Sequence, residues 1–255
     1  MYSLAKSVPI NSREELVLKI QDLSASVLPP YSYYESQINS EKSIFLWKFT
    51  SFNAVEFFFA LSIENSQISW ECGKSWDEGE ESFTDSIFGY PPNYSISYGF
   101  PVSIAIAKNL DLFGIFISQG MNAYSSIVLT PSVYDSEMWE GFDLFFVNQE
   151  ERNPGNFYPG TLNNPYGFRA DCGLSYCRDG KFSEISLSGK ISVLSGIFLE
   201  DPLNSGIAGG LSPATGIAPT GFIPRFSLIP SSLVAGETWL SLYKSDGGLV
   251  IRENQ

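Results

Sequence analysis

The chain has 255 residues, 44% hydrophobic, 15% aromatic and only 17% charged, which excludes a disordered polar chain and suffices for a sizeable core. Its 28 acidic and 15 basic side chains give a formal charge of −13, which repels nucleic-acid phosphates and anionic lipid. No basic cluster offsets this, since Arg169, Arg178 and Lys181 are spread through acidic surroundings, and the absence of histidine excludes imidazole-dependent catalysis.

Met1 to Ser12 holds one lysine and no continuous apolar stretch, so a secretory signal is not expected there. Ser12 and Glu15 form a capping-box pattern ahead of Leu16, Ile20, Leu23 and Val27. That spacing places the apolar residues on one face and predicts a helix from about Arg13 to Leu28, stopped by Pro29-Pro30. Ile44 to Phe49, Val55 to Ile63 and Gln67 to Cys72 predict a β meander, with a turn at Glu64-Asn65-Ser66. In the middle strand Phe57, Phe59 and Leu61 alternate with Phe58, Ala60 and Ser62, so both of its faces are expected to be covered. The richest apolar window, Phe52 to Ile63, is short and contains Glu56, so no membrane span is expected.

Asp77 to Tyr98 reads as loop, with an acidic run followed by Pro91-Pro92. Val102 to Ala107 and Leu112 to Ser118 predict a hairpin around Lys108 to Asp111, continued by a strand at Ser125 to Leu129. A short helix is expected over Pro131 to Trp139, and a strand over Asp143 to Val147. Asn148 to Tyr176, dense in Asn, Pro, Gly, Tyr and Phe, reads as a long ordered loop. Phe182 to Leu187 and Ile191 to Leu199 return to strand composition. The charge-free tract Asn204 to Pro224, in which Gly206-Ile207-Ala208 is echoed by Gly216-Ile217-Ala218, is expected to be docked. Phe226 to Ile229, Glu237 to Tyr243 and Leu249 to Arg252 read as strands, the last two joined around Asp246-Gly247-Gly248. The expected fold is mainly β with an N-terminal amphipathic helix (α+β), built of antiparallel meanders and hairpins, with a sandwich as one arrangement. Residues 1–30 would form the helical segment and 31–147 a β-rich core. Residues 148–255 would form a loop-rich β region on that core or on neighbouring subunits.

No catalytic, cofactor or metal residue is assigned. Cys172 and Cys177 lack a second Cys pair and any histidine, so a closed zinc site is short of ligands. The three cysteines, with Cys72, are too few for a disulfide scaffold. Gly73-Lys74-Ser75 lacks the upstream glycine of a phosphate loop, Ile68 standing in its place. Gly206, Gly209 and Gly210 lack the strand and acidic residue of a dinucleotide fingerprint. Lys74-Ser75 and Lys244-Ser245 are adjacent pairs that a strand would point to opposite faces, and Asn93-Tyr94-Ser95 is a sequon without a signal peptide. The enzymatic option that needs no histidine is a carboxylate pair with aromatic platforms, for which Glu71, Asp77, Glu78, Glu80 and Glu81 stand beside Trp70 and Trp76. The competing reading is a solvated acidic loop.

The capped opening helix, hairpins such as Val102 to Ser118, a long Asn/Gly/Pro/Tyr segment and a closing Gly236-Glu237-Thr238-Trp239 stretch resemble structural proteins of tailed bacteriophage particles. The resemblance rests at residue level on the opening helix, Leu112 to Ile117 and Gly236 to Ile251, and departs from the pattern at Pro29-Pro30-Tyr31. It implies a non-enzymatic virion subunit of the tail, neck or baseplate, made in the host cytoplasm. Such a subunit would be homo-oligomeric, in contact with other virion proteins through aromatic and apolar interfaces, and would need no cofactor, nucleic acid or membrane. The alternatives are a carbohydrate- or receptor-binding module and a carboxylate-dependent glycan hydrolase.

Overall fold

The computed structural model describes residues 3–27, 32–38, 41–50, 56–84, 86–87, 95–110, 112–120, 122–129, 145–150, 174–175, 194–195, 198–201, 206–210, 214–218, 225–231, 235–242 and 248–253. In chain order the first half holds β1 (Ser3–Lys6), α1 (Arg13–Val27), β2 (Ser32–Ile38), β3 (Lys42–Thr50), β4 (Glu56–Glu64) and β5 (Gln67–Gly73). Then come β6 (Trp76–Asp77), β7 (Ser82–Phe83), β8 (Ser86–Ile87), β9 (Ser95–Ser97), β10 (Ser103–Lys108), β11 (Leu112–Gln119), β12 (Asn122–Leu129) and β13 (Phe145–Glu150). The second half holds β14 (Leu174–Ser175), β15 (Leu194–Ser195), β16 (Phe198–Asp201), β17 (Gly206–Gly210), β18 (Thr215–Ala218), β19 (Leu228–Pro230), β20 (Thr238–Ser241) and β21 (Gly248–Arg252).

Among the described residues the fold is mainly β with one helix near the N-terminus, and every described strand pairing is antiparallel. The main sheet has the order β1-β10-β11-β12-β13, and a second sheet has the order β2-β3-β4-β5-β8 with β9 also on β5. They face each other across an aromatic layer. Alternation along β11 sends Phe113, Ile115 and Ile117 inward, and along β3 and β4 it sends Phe45, Trp47, Phe49, Phe57 and Phe59 to meet them. The Phe113 ring lies 5.5 Å from Trp47, 5.2 Å from Phe49 and 6.0 Å from Phe59 between centroids. Fully burying one such ring stabilises the fold by roughly 1.5–3 kcal/mol, so this layer is the principal source of cohesion between the sheets.

Helix α1 completes the core because Leu16, Val17, Ile20 and Leu23 share one face, and all four are buried in the same cluster. Its start is capped as the sequence predicts. The Glu15 amide donates to Ser12 Oγ at 3.2 Å, and the Glu15 carboxylate reaches back to accept from the Asn11 amide at 2.8 Å. From the first turn Arg13 donates to Ser43 Oγ on β3 at 2.9 Å, tying the helix to the second sheet.

The outer face of the main sheet is covered too. Asn109 donates through Nδ2 to Thr215 Oγ1 at 2.7 Å and to the Ala214 carbonyl at 3.3 Å, joining the β10–β11 turn to β18. β18 belongs to a sheet of order β15-β18-β21-β20-β19, and β14, β16 and β17 form a smaller one. Trp239, Leu240, Val250 and Ile251 are buried there, and Glu237 accepts from both Trp239 Nε1 at 3.1 Å and Arg252 at 3.2 Å.

Several expectations change. Residues 1–30, expected as a helical segment, also contain β1, whose Ser-Leu-Ala-Lys composition gives no strand signal but whose backbone pairs with β10. Asp77 to Tyr98 is not simply loop, since β6 ends and β7, β8 and β9 lie within it. The expected loop from Asn148 begins inside β13, and Leu174–Ser175 pairs with β16; its remaining residues lie outside the described ones. The glycine-rich tract supplies β17 and β18. The strand expected from Phe226 starts at Leu228, because Phe226 adopts φ +59°. Pro131 to Trp139, Phe182 to Leu187 and Asp246-Gly247 lie outside the described residues.

Candidate functional site

The acidic segment singled out by sequence folds as a hairpin over the outer face of the second sheet. β4 and β3 turn Phe58, Ala60, Ile44 and Leu46 to that face, where Trp76 and Phe83 close over them. Trp76 and Phe83 are cross-strand partners, and their rings meet edge to face at 4.8 Å. This is the cover that the two-sided apolar pattern of β4 requires.

Each end of the acidic run has a structural task. Asp77 Oδ1 accepts from the amides of Gly79 at 2.8 Å and Glu80 at 3.1 Å, an Asx turn that starts the reversal. Glu81 completes the turn at φ +48°, and its carboxylate meets Lys42 Nζ of β3 at 2.5 Å. Ser75 and Thr84 hydroxyls bond across the hairpin mouth. Glu71 lies on the same outer face of β5, where partial burial raises its carboxyl above the usual range and the Lys42 charge pulls it back. Glu78 and Glu80 are exposed.

A glycan hydrolase needs two carboxyls flanking a sugar and rings to stack on it. Here Glu71 and Glu81 share one lysine, and Asp77 is committed to amides. The two tryptophans do not form a common platform. Trp70 points to the opposite, inner face and is 2% exposed, while Trp76 is packed on Phe83. The hairpin therefore caps the sheet through Trp76 and Phe83, while Asp77 and Glu81 hold its turn and tie it to Lys42.

The other sequence candidates separate. Cys72 is buried in the core, and burial pushes its thiol far above the ordinary range, which makes it an inert side chain. Gly73 ends a strand paired to Phe58, so Gly73-Lys74-Ser75 runs from strand to hairpin and not into a helix. Gly206, Gly209 and Gly210 lie in β17, paired with β16. Cys172, Cys177, Asn93, Lys244 and Ser245 lie outside the described residues. Among the described residues no cluster of three or more His, Cys, Asp or Glu side chains is gathered to hold a metal ion, and no helix is long and apolar enough to cross a membrane.

Sequence reasoning missed a different constellation, formed by Lys6, Phe116, Arg225 and Phe226 where β1, β11 and the approach to β19 meet. No local pattern announces it, because Lys6 and Phe226 are 220 positions apart. Compared with known proteins, the chain matches no family model and no curated protein.

Proposed function

We propose that the chain is a non-enzymatic structural subunit of a tailed bacteriophage particle, present in several copies in the tail, neck or baseplate and joined there to other virion proteins. The observation that carries this reading is the use to which reactive side chains are put. Asp77 holds a turn, Glu81 pins that turn to Lys42, and Cys72 and Trp70 fill the core. The likeness of the opening helix, the Val102 to Ser118 hairpin and the Gly236 to Trp239 stretch to such proteins points the same way.

Some of the large aromatics serve the chain's own core. Trp47, Trp70 and Trp239 are fully buried within the subunit, so they are spent on its own core. Among the described residues, exposed apolar side chains that could serve such interfaces include Val8, Leu18 and Leu110, 72%, 62% and 61% exposed, and the aromatic Phe100 at 39%. The test is sedimentation of the purified chain together with negative-stain imaging of the particles it co-purifies with. Self-association or incorporation into particles is the expected result. A strictly monomeric chain that never enters a particle overturns the proposal, and glycan binding by that monomer would replace it with the receptor-binding reading.

A further inference from the structure

Three distant segments converge on one aromatic ring. Phe226 adopts φ +59°, a left-handed conformation that is costly for a residue with a bulky side chain and persists only where its surroundings hold it. Its ring meets Phe116 of β11 edge to face at 5.4 Å. Lys6 of β1 sets Nζ 4.8 Å from the ring centre and donates to the Phe226 carbonyl at 3.4 Å. The Arg225 guanidinium sits 5.2 Å from the Phe116 ring and 5.7 Å from that of Phe226.

Phe226 also leads directly into the C-terminal sheet. Its amide donates to the Ser241 carbonyl at 2.7 Å, and the Ser241 amide donates to the Ser227 carbonyl at 3.0 Å. Whatever holds Phe226 therefore holds the β19–β20 edge. At a separate place the buried Asn109–Thr215 bond attaches β18 of the same sheet to the β10–β11 turn.

We propose that Lys6 and the Phe226 ring form a releasable clasp, by which the N-terminal strand fastens the β19–β20 edge to the outer face of the main sheet. Releasing Lys6 lets that edge lift about the Asn109 attachment while the core between the two large sheets stays folded. Two features make the contact releasable. Lys6 is exposed and Arg225 and Phe226 are only partly buried, so cation–π attraction is modest there, and the left-handed residue favours opening once its ring is free.

The test is peptide-resolved hydrogen exchange on the full chain and its Lys6→Met, Lys6→Arg and Phe226→Gly variants. Lys6→Met is expected to speed exchange across 225–241 about fivefold, the equivalent of one cation–π contact, with 44–72 unchanged. Lys6→Arg, which keeps the cation, restores protection. Phe226→Gly also speeds exchange across 225–241, although it relieves the backbone. The clasp is overturned if Lys6→Met leaves 225–241 unchanged or speeds 44–72 equally, if Lys6→Arg fails to restore protection, or if Phe226→Gly fails to speed exchange across 225–241.

Discussion

Phe113 touches Trp47, Phe49 and Phe59 and so carries the contact between the two large sheets. Truncation to alanine is expected to cost about 3–5 kcal/mol in urea unfolding, the range for removing a buried ring whose surroundings relax only in part. A neighbouring glycine tests packing in the opposite direction. On Gly114 a Cβ would lie 2.8 Å from the Phe116 ring, which is itself buried and braced by Phe226, so that ring is not free to swing away. Two titrating groups act at this scale as well, both with folded pKa values raised by burial. An unfolded Glu71 loses its proton at lower pH than the folded one, so its contribution to stability falls as pH rises through the acidic range and stays lowered above it. Glu71→Gln should therefore raise the neutral-pH denaturation midpoint slightly, with the gain vanishing in acid. For Cys72 the same sign moves the window to alkaline pH, because the unfolded thiol ionises near its ordinary value of about 8.5 while the buried one stays protonated. Stability should decline above that pH, and Cys72→Ala should flatten the decline; peptide-resolved alkylation of Cys72 should be no faster than unfolding.

Among the elements, α1 depends on a cap whose two halves are both formed, Ser12 to the Glu15 amide and Glu15 to the Asn11 amide. Ser12→Ala is expected to cost about 1 kcal/mol, read from thermal unfolding, and to leave the sheets unchanged. That helix was legible in sequence because cap and apolar spacing are both local, and so were β3, β4, β5, β10, β11 and β12, whose β-branched and aromatic residues make strand runs. Elements with no local signature were not legible. β1 is four residues with one lysine, and β17 is three-fifths glycine, so their neighbours decide their conformation. The hairpin from Trp76 to Phe83 was hidden for another reason. Its acidic turn reads as solvated loop, and only the apolar outer face of β4 shows that something has to lie over it. The candidate carboxylates were thus legible as a group, but their roles depend on Lys42, 39 positions from Glu81, and on Trp70 facing away.

Across the whole molecule, the assembly proposed above would have to work against charge. Copies carrying −13 each would repel one another, and among the described residues exposed apolar side chains such as Leu18 and Leu110 are available to offset that repulsion. Repulsion between surfaces is screened by salt, since the Debye length falls from about 10 Å at 0.1 M to about 3 Å at 1 M, whereas apolar attraction survives it. Self-association measured by sedimentation should therefore strengthen as salt is raised. Introducing a carboxylate at Leu18 or Leu110 should weaken it while leaving the unfolding free energy within about 0.5 kcal/mol, because both side chains stand outside the core. Self-association that weakens with salt would instead mean that oppositely charged groups on the copies meet, and the aliphatic positions would then be bystanders.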